Sequence, residues 1–199
     1  MNTPLTQHLN KKNFYNIEGY SQQVPDQVKA LNYLSQQTQI KNILEIGFNA
    51  GHSSEIFLNA KNDTKVTSFD LASHDYVIHG KSYIDKTFPF RHSLIIGDST
   101  KTIPEFKQIY PNTKFDLIFI DGGHDYEIAK QDIINCKEMA HQNTIVIMDD
   151  TIHKNEWTKC WNIGPTRAWN EAVKNNTIKE TNKLDFEPGR GMAYGKYVF

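Results

Sequence analysis

Three carboxylates stand where two apolar segments of the sequence end. Asp121 follows residues 115–120, and the pair Asp149 and Asp150 follows residues 144–148. Carboxylates that are brought together repel one another unless a proton or a cation neutralises them, and a set of oxygen ligands suits Mg²⁺, Ca²⁺ or Mn²⁺. We therefore predict that Asp121, Asp149 and Asp150 hold a divalent cation, which would lower the pKa of a substrate hydroxyl group and orient its oxygen. In the alternative interpretation Asp150 caps the following helix and Asp149 is merely exposed.

The segment NILEIGFNAGHSS, from Asn42 to Ser54, predicts a nucleotide-like cofactor site. A short apolar run contains Glu45, and Gly47 and Gly51 follow four residues apart. Glycines just past a buried strand let the backbone turn tightly and approach a ligand before a helix begins. The spacing differs from that of dinucleotide folds, and the Glu45 carboxylate would repel a pyrophosphate but accept a hydrogen bond from an ammonium group. The segment thus favours S-adenosylmethionine, whose ammonium and sulfonium are both positive. The alternative is an α/β turn that uses its glycines for packing alone.

Polar residues at two further strand ends extend the predicted cofactor site. Asp70 ends the second predicted strand, where a carboxylate accepts hydrogen bonds from ribose hydroxyls. Asp98 and Ser99 follow the third strand, at the same edge of the predicted sheet. Each also has a structural interpretation, in which Asp70 caps a helix and Asp98-Ser99 forms a turn. The complete predicted cofactor-binding set is Glu45, Gly47, Asn49, Gly51, Ser53, Asp70, Asp98, Ser99 and Asp121.

These motifs resemble those of a known enzyme family. The pattern Glu-x-Gly-x-x-x-Gly resembles motif I of the class I methyltransferases, and EIGFNAGHS is similar to motif I of the metal-dependent O-methyltransferases of the catechol and caffeoyl-CoA type. The Asp and Asp-Asp at adjacent strand ends resemble the metal motif of those enzymes, and FIDGGHDYE is also similar to methyltransferases of the macrocin and cephalosporin-tailoring type. The resemblance covers about residues 31–150. It implies Mg²⁺-assisted transfer of a methyl group from S-adenosylmethionine to a hydroxyl of a small molecule, and a homodimer.

His124 is the candidate general base. It stands three residues after Asp121, at the place where the catechol-type enzymes carry a lysine. A histidine titrates near neutral pH and can accept the proton of an acceptor hydroxyl. We therefore predict His124 and Asp121 as catalytic residues. The alternatives are that His124 orients the substrate or the metal, or that it caps a helix.

The order of the predicted elements indicates an α/β fold. Strands of nearly continuous hydrophobicity alternate with helices, which is typical of a parallel sheet covered on both faces. We predict a single-domain, doubly wound, Rossmann-like sheet, mostly parallel with an antiparallel C-terminal strand, with residues 1–24 as an N-terminal extension of the core at 25–199. Strands are predicted at 42–46, 66–69, 93–96, 115–120 and 144–148, and helices at 25–37, 52–59 and 126–139. Residues 73–90 form either a helix or a long connection, and 177–199 form two strands joined by a Gly/Pro turn.

Composition excludes several classes of partner. The 199 residues carry a net charge of −1, from 22 basic and 23 acidic side chains, with no block of one sign. We therefore expect no nucleic-acid or membrane partner. Cys136 and Cys160 form no Cys-x-x-Cys motif, and the N-terminal residues lack the apolar core of a secretion signal. A cytoplasmic location with reduced thiols is expected, with a small hydroxylated molecule as the partner.

Other functions stay open at this point. One alternative is a metal-independent O- or N-methyltransferase of the same fold, and another is a non-catalytic domain that binds S-adenosylmethionine. A nicotinamide-dependent oxidoreductase is disfavoured by Glu45. Trp157 and Trp161 either form a lid over the site or pack into the core, Trp169 is expected in the core, and Arg167 is a candidate partner for an anionic substrate group.

Overall fold

Seven strands and seven α-helices alternate along the part of the chain described by the computed structural model, residues 3–20 and 23–199. The strands are β1 Asn42–Ile46, β2 Lys65–Asp70, β3 His92–Ile96, β4 Phe115–Ile120, β5 Ala140–Asp149, β6 Ile178–Phe186 and β7 Arg190–Tyr197. The helices are α1 Pro4–Asn10, α2 Pro25–Ser35, α3 His52–Ala60, α4 Tyr76–Thr87, α5 Ser99–Ile109, α6 Tyr126–Lys137 and α7 Cys160–Lys174. A short 3₁₀ turn, Asn155–Trp157, precedes α7.

The strands form one sheet in the order β3-β2-β1-β4-β5-β7-β6. The first five are parallel, and β7 lies antiparallel between β5 and β6. The chain reverses its direction of winding between β1 and β4, which is the point where ligands bind in open α/β sheets. The predicted doubly wound, mostly parallel sheet with an antiparallel C-terminal strand is confirmed.

Side chains of the central strands point alternately into two separate hydrophobic cores, one on each face of the sheet. On one face Ile43 and Phe119 pack with helices α1 to α4. On the other face Leu44 and Ile118 pack with α5, α6 and α7, where Trp169 is fully buried as predicted. Because successive residues of a strand point to opposite faces, a strand buried on both sides reads as a continuous apolar run.

Several elements, α1 among them, differ from the sequence prediction or complete it. Residues 73–90, for which the sequence allows either a helix or a long connection, contain α4. Its buried positions Val77, Gly80 and Ile84 follow helical spacing. Helix α5 was not predicted, and β5 begins at Ala140, four residues before the predicted start. The helical spacing in α4 is hidden in the sequence because Gly80 replaces an apolar side chain. A Cβ there would lie 2.1 Å from the backbone oxygen of Ala50.

The N-terminal segment packs against the core. Leu5 and Leu9 of α1 are fully buried in the same cluster as α2, α3 and α4. Residues 1, 2, 21 and 22 of the predicted N-terminal extension lie outside the described residues. Among the described helices, none has both the length and the apolar composition needed to cross a lipid bilayer.

Candidate active site

A cavity of about 500 Å³ opens at the carboxyl ends of the parallel strands. Its apolar wall includes Phe69, Leu71 and Ile128. Predicted site residues that line it are Gly47, Asn49, Asp70, Asp98, Ser99, Asp121, His124 and Asp150. Glu45, Gly51, Ser53 and Asp149 are buried and do not line it. The strand ends therefore bring most of the predicted residues to one place and leave four behind it.

Gly47 lets the turn after β1 lie directly on the end of β4. Its φ is +90°, and a Cβ at this position would lie 1.8 Å from the backbone oxygen of Asp121. No side chain can be accommodated there. The Gly47 amide donates to the Phe69 oxygen at 2.8 Å, and the Asp121 amide donates to the Ile46 oxygen at 2.9 Å. The turn is thus fixed between the ends of β2 and β4.

Glu45 lies beneath the cavity, which corrects the expectation that its carboxylate faces an ammonium group. The side chain is fully buried, and its oxygens accept hydrogen bonds from Ser53 at 2.6 Å and from Ser54 and Ser68. Burial raises the pKa of Glu45, and the serine hydroxyls act in the opposite direction. Glu45 therefore connects β1 to the first turn of α3 and to β2. Ser53 shares this role, since its hydroxyl is directed at Glu45.

The same polar network contains His92, which predicts a loss of stability in acid. Nε2 of His92 lies 2.9 Å from the Ser68 hydroxyl, and Nδ1 is buried with no hydrogen-bond partner among residues 3–20 and 23–199. Burial, followed by the charge of Lys81, lowers the pKa of His92 from 6.5 to about 3. Between these values the unfolded chain binds a proton that the folded chain does not, so stability falls as pH falls below 6.5.

We expect this single group to cost about 2 kcal/mol of unfolding free energy between pH 7 and pH 5. Urea unfolding of the wild type and of His92→Gln at both pH values measures the difference, which should be smaller in the variant. His74→Gln, at an exposed position, is the control and should keep the wild-type loss. Equal losses in all three proteins would show that His92 is not the acid-sensitive group.

Asp70 holds two backbone turns at the edge of the cavity. Its Oδ2 accepts from the Asn49 amide at 2.7 Å, and its Oδ1 accepts from the Ala72 amide at 2.6 Å. Both donors belong to residues with positive φ, +51° for Asn49 and +55° for Ala72. Such conformations persist only where the surroundings hold them. The Asn49 side chain in turn donates to the backbone oxygen of Glu18 at 2.8 Å, so the N-terminal segment covers one side of the cavity.

We predict that Asp70→Asn weakens the binding of S-adenosylhomocysteine about 30-fold, or about 2 kcal/mol. An amide has one accepting oxygen, so its NH₂ group would face one of the two backbone donors and release that turn. Isothermal titration calorimetry measures the change. Asp63→Asn, which removes only an exposed carboxylate 3.9 Å from Lys41, should bind like the wild type. Unchanged binding in Asp70→Asn would place the ribose elsewhere.

Asp98 and Ser99 lie on the cavity wall at the start of α5. Asp98 is the N-cap of this helix, because its Oδ1 accepts from the amide of Thr100 at 3.0 Å and from the hydroxyl of Thr100 at 2.7 Å. These hydrogen bonds lower the pKa of Asp98. The capping role and a contact with a cofactor are compatible, since Asp98 lies between β3 and α5 and lines the cavity.

Asp121, His124 and Asp150 come together at the other end of the cavity. One ligand atom from each lies within 4.8 Å of the others. Nε2 of His124 is 2.9 Å from Oδ2 of Asp150. Asp150 has a φ of +55°, a left-handed conformation that is costly for a residue with a side chain and that is found at functional sites. The strained backbone places its buried carboxylate beside the cavity.

Asp149 is held away from this group, which differs from the predicted set of three aspartates. Its side chain is buried, and its Oδ1 accepts from Nε2 of Gln27 at 2.6 Å. Asp150 follows the last residue of β5 and has a left-handed φ of +55°, so its side chain does not continue the regular alternation of the strand. Gln27 comes from α2, and His124 takes the position in the cluster that the sequence predicted for Asp149.

The electrostatics of the cluster follow from its crowding. Desolvation, followed by the charges of Asp149 and Asp150, raises the pKa of Asp121. Desolvation, followed by the charge of Asp150, raises the pKa of Asp149 to about 7. The hydrogen bond with Asp150 raises the pKa of His124. All three shifts favour the protonated form, and a cation bound among the carboxylates would relieve their repulsion.

A sequence model that describes a methyltransferase domain matches residues 44–151, more than half of the chain. The chain belongs to this family. No curated protein matches the sequence. Solved structures similar to this methyltransferase include an O-methyltransferase from Bacillus cereus in complex with SAH, with 19% identity, a TM-score of 0.77, and coverage of 98% of this chain and 89% of that one. Another is the O-methyltransferase TomG from Streptomyces achromogenes, involved in tomaymycin synthesis and in complex with SAM, with 16% identity, a TM-score of 0.73, and coverage of 98% and 88%. At these identities the likeness shows the fold.

The methyltransferase contains site residues that the sequence analysis missed. Arg190 lines the cavity and contacts Asp150, and Gln27 binds Asp149. Gln27 had a detectable signal, because it falls on the stripe of α2 that also buries Leu31 and Leu34. Arg190 had none, since it follows a Gly/Pro turn with no motif.

Trp157, Trp161 and Arg167, which follow β5, each pack against a different neighbour. Trp161 lies with its ring centre 6.3 Å from that of His124, whereas Trp157 lies under the Lys154 ammonium at 3.9 Å. Arg167 was a candidate for binding an anionic group. Its guanidinium carbon instead lies 3.8 Å from the ring centre of Tyr126, and the residue does not line the cavity.

Proposed function

We propose that this methyltransferase transfers a methyl group from S-adenosylmethionine to a hydroxyl of a small molecule, with help from a divalent cation. The observation that carries the proposal is the single cavity that joins the turn at Gly47, the carboxylate of Asp70 and the Asp121–His124–Asp150 cluster. A cofactor and a reacting hydroxyl bound at its two ends would meet inside the same cavity. The homodimer and the cytoplasmic location are part of the same proposal.

The cofactor end supports S-adenosylmethionine. Asp70 offers lone pairs to two ribose hydroxyls, and Leu71, Phe69 and Ile128 give apolar surface for an adenine. Asp98 and Ser99 supply polar atoms at the adenine edge. The similar structures from Bacillus cereus and Streptomyces achromogenes were determined in complex with SAH and SAM, which supports the choice of cofactor.

The acidic end fits a divalent cation. Asp121 and Asp150 present carboxylate oxygens within 4.8 Å of one another, and desolvation and repulsion raise the pKa of Asp121. Mg²⁺ binds through one or two carboxylates and leaves positions for substrate oxygens. When bound, the ion would lower the pKa of the acceptor hydroxyl.

His124 is placed to accept the proton of that hydroxyl. Its ring is half exposed in the cavity, and the hydrogen bond to Asp150 orients it and raises its pKa toward the range in which a base is most effective near neutral pH. Asp150 then stabilises the imidazolium that forms. Gln27 fixes Asp149 behind the cluster, so the negative charge there is constant in position.

The test is calorimetric titration of the protein with S-adenosylhomocysteine, followed by transfer of a labelled methyl group from S-adenosylmethionine to a panel of catechols and other small hydroxylated compounds, with Mg²⁺ or with EDTA. We expect one nucleoside site per chain and turnover that needs Mg²⁺. NAD⁺ is the control ligand and should not bind. A protein that binds no S-adenosylhomocysteine would refute the proposal.

The rival functions give different results in the same experiment. A metal-independent methyltransferase would keep its turnover in EDTA. A non-catalytic binding domain would bind S-adenosylhomocysteine but methylate no compound of the panel.

A further inference from the structure

Arg190 is a fixed positive charge inside the acidic cluster. Its Nη1 lies 3.1 Å from Oδ1 of Asp150, and its guanidinium carbon lies 4.8 Å from the ring centre of Trp161. The side chain is 24% exposed and lines the cavity beside His124. The guanidinium is therefore held on one side by a carboxylate and on its face by an indole ring.

The C-terminal hairpin of β6 and β7 places Arg190 beside the acidic cluster through a close backbone contact. Gly191 follows it, and a Cβ at Gly191 would lie 2.1 Å from the backbone oxygen of Thr151. In the β5–β7 ladder, Met192 pairs with Asp149. The first residue of β7 consequently lies at the strand end that carries the acidic cluster, and only a long side chain from that position reaches Asp150.

Both oxygens of Asp150 already have partners. Arg190 contacts Oδ1 and His124 contacts Oδ2. A guanidinium cannot lose its proton in a protein, so its charge persists at every pH of interest. A divalent cation bound to Asp121 and Asp150 would meet this charge at a few ångströms, where repulsion in a poorly solvated site is strong.

We propose that Arg190 is the resident counter-ion of Asp150, which competes with a divalent cation for this carboxylate and shifts over the face of Trp161, away from Asp150, when the cation binds. The inference rests on the proposed metal-assisted function. It makes Arg190 a positioning residue. Its charge holds the cluster together before the metal binds and sets how tightly the metal is held.

The experiment titrates Mn²⁺ into the protein saturated with S-adenosylhomocysteine, by calorimetry and by electron paramagnetic resonance. We expect Arg190→Gln to bind Mn²⁺ at least about tenfold more tightly than the wild type, because one repelling charge is gone. Arg190→Lys keeps the charge and should stay within about threefold of the wild type. Lys196→Gln removes an exposed charge from the far end of the same strand, about 20 Å away, and should change nothing.

Each possible pattern of Mn²⁺ affinities supports or refutes the counter-ion role or the metal-assisted function. If wild type and Arg190→Gln bind Mn²⁺ equally, or if Arg190→Lys gains as much as Arg190→Gln, the counter-ion role is wrong while the proposed function stands. If only Arg190→Gln binds, the counter-ion role is supported and metal assistance fails for the wild type. If neither binds, both fail, and retained S-adenosylhomocysteine binding shows that the proteins are folded.

Tryptophan fluorescence follows the guanidinium itself. Saturating Mg²⁺ should change the emission of the wild type, and the change should disappear in Arg190→Gln and in Trp161→Phe. A wild type that binds Mg²⁺ without a change in emission would show that Arg190 does not move relative to Trp161.

Discussion

Asp121→Asn should bind Mn²⁺ about 100-fold more weakly than the wild type and yet unfold at a higher urea concentration. Asp121 is one of the two carboxylates proposed to hold the cation, and an amide is a neutral and much poorer ligand for a hard ion. The same substitution removes a charge that desolvation and the neighbouring Asp149 and Asp150 disfavour. Loss of metal binding and gain of stability are therefore two effects of one missing charge.

The gain in stability has a defined pH dependence. Because the pKa of Asp121 is raised in the folded protein, the wild type loses stability as pH rises above the unfolded pKa near 4, and the asparagine variant does not. We expect a gain of about 1 kcal/mol at pH 8 in EDTA, and a smaller one at pH 5. Urea unfolding at both pH values measures it.

Asp116→Asn is the matched control, since it makes the same substitution at the opposite end of β4. Oδ2 of Asp116 accepts from the amides of Lys41 and Asn42, each at 2.8 Å. This change should lower stability by about 1 kcal/mol and leave Mn²⁺ affinity unaltered. An Asp121→Asn protein that is less stable than the wild type in EDTA would mean that the cluster is not repulsive.

The sequence predicts the central sheet well because each strand is buried on both faces. Apolar runs such as 115–120 are covered on both faces of the sheet, and their acidic ends then meet at one edge. Helix α5 is the opposite case. Pro104 removes one backbone donor, and the Thr100 oxygen that would have accepted from it is instead bound by Nδ2 of Asn135 at 3.3 Å. A partner 31 residues away from Pro104 in the chain has no local signal.

The candidate site shows the same contrast between features that have a local sequence signal and features that do not. Residue types at strand ends, such as Asp70 and Asp121, follow from the motif pattern. The direction of each side chain does not, because it depends on the backbone at single residues. The left-handed φ of Asp150 and the bond from Gln27 to Asp149 decide which aspartate faces His124, and both come from contacts between distant segments.

Gly47→Ala should lower the free energy of unfolding by about 4 kcal/mol, which corresponds to a melting temperature about 10 °C lower for a chain of this size. A methyl group there would lie 1.8 Å from the oxygen and 2.8 Å from the carbon of the Asp121 carbonyl, so backbone must move. Its φ of +90° adds strain of its own. Urea and thermal unfolding followed by circular dichroism measure the loss.

Gly19→Ala separates the strain of a positive φ from the clash with neighbouring backbone. Gly19 also lines the cavity and also has a positive φ, +60°, but nothing lies within 4 Å of its added Cβ. This control should lose only about 1 kcal/mol, from backbone strain alone. Equal losses in the two variants would show that close approach to Asp121 does not fix the turn.

The movement forced by Gly47→Ala also links the two ends of the site. The turn after β1 lies against the end of β4 at this position, so the methyl group pushes the turn and Asp121 apart. Affinity for S-adenosylhomocysteine and affinity for Mn²⁺ should fall together in the fraction that stays folded, whereas Asp70→Asn should weaken only the nucleoside and Asp121→Asn only the metal.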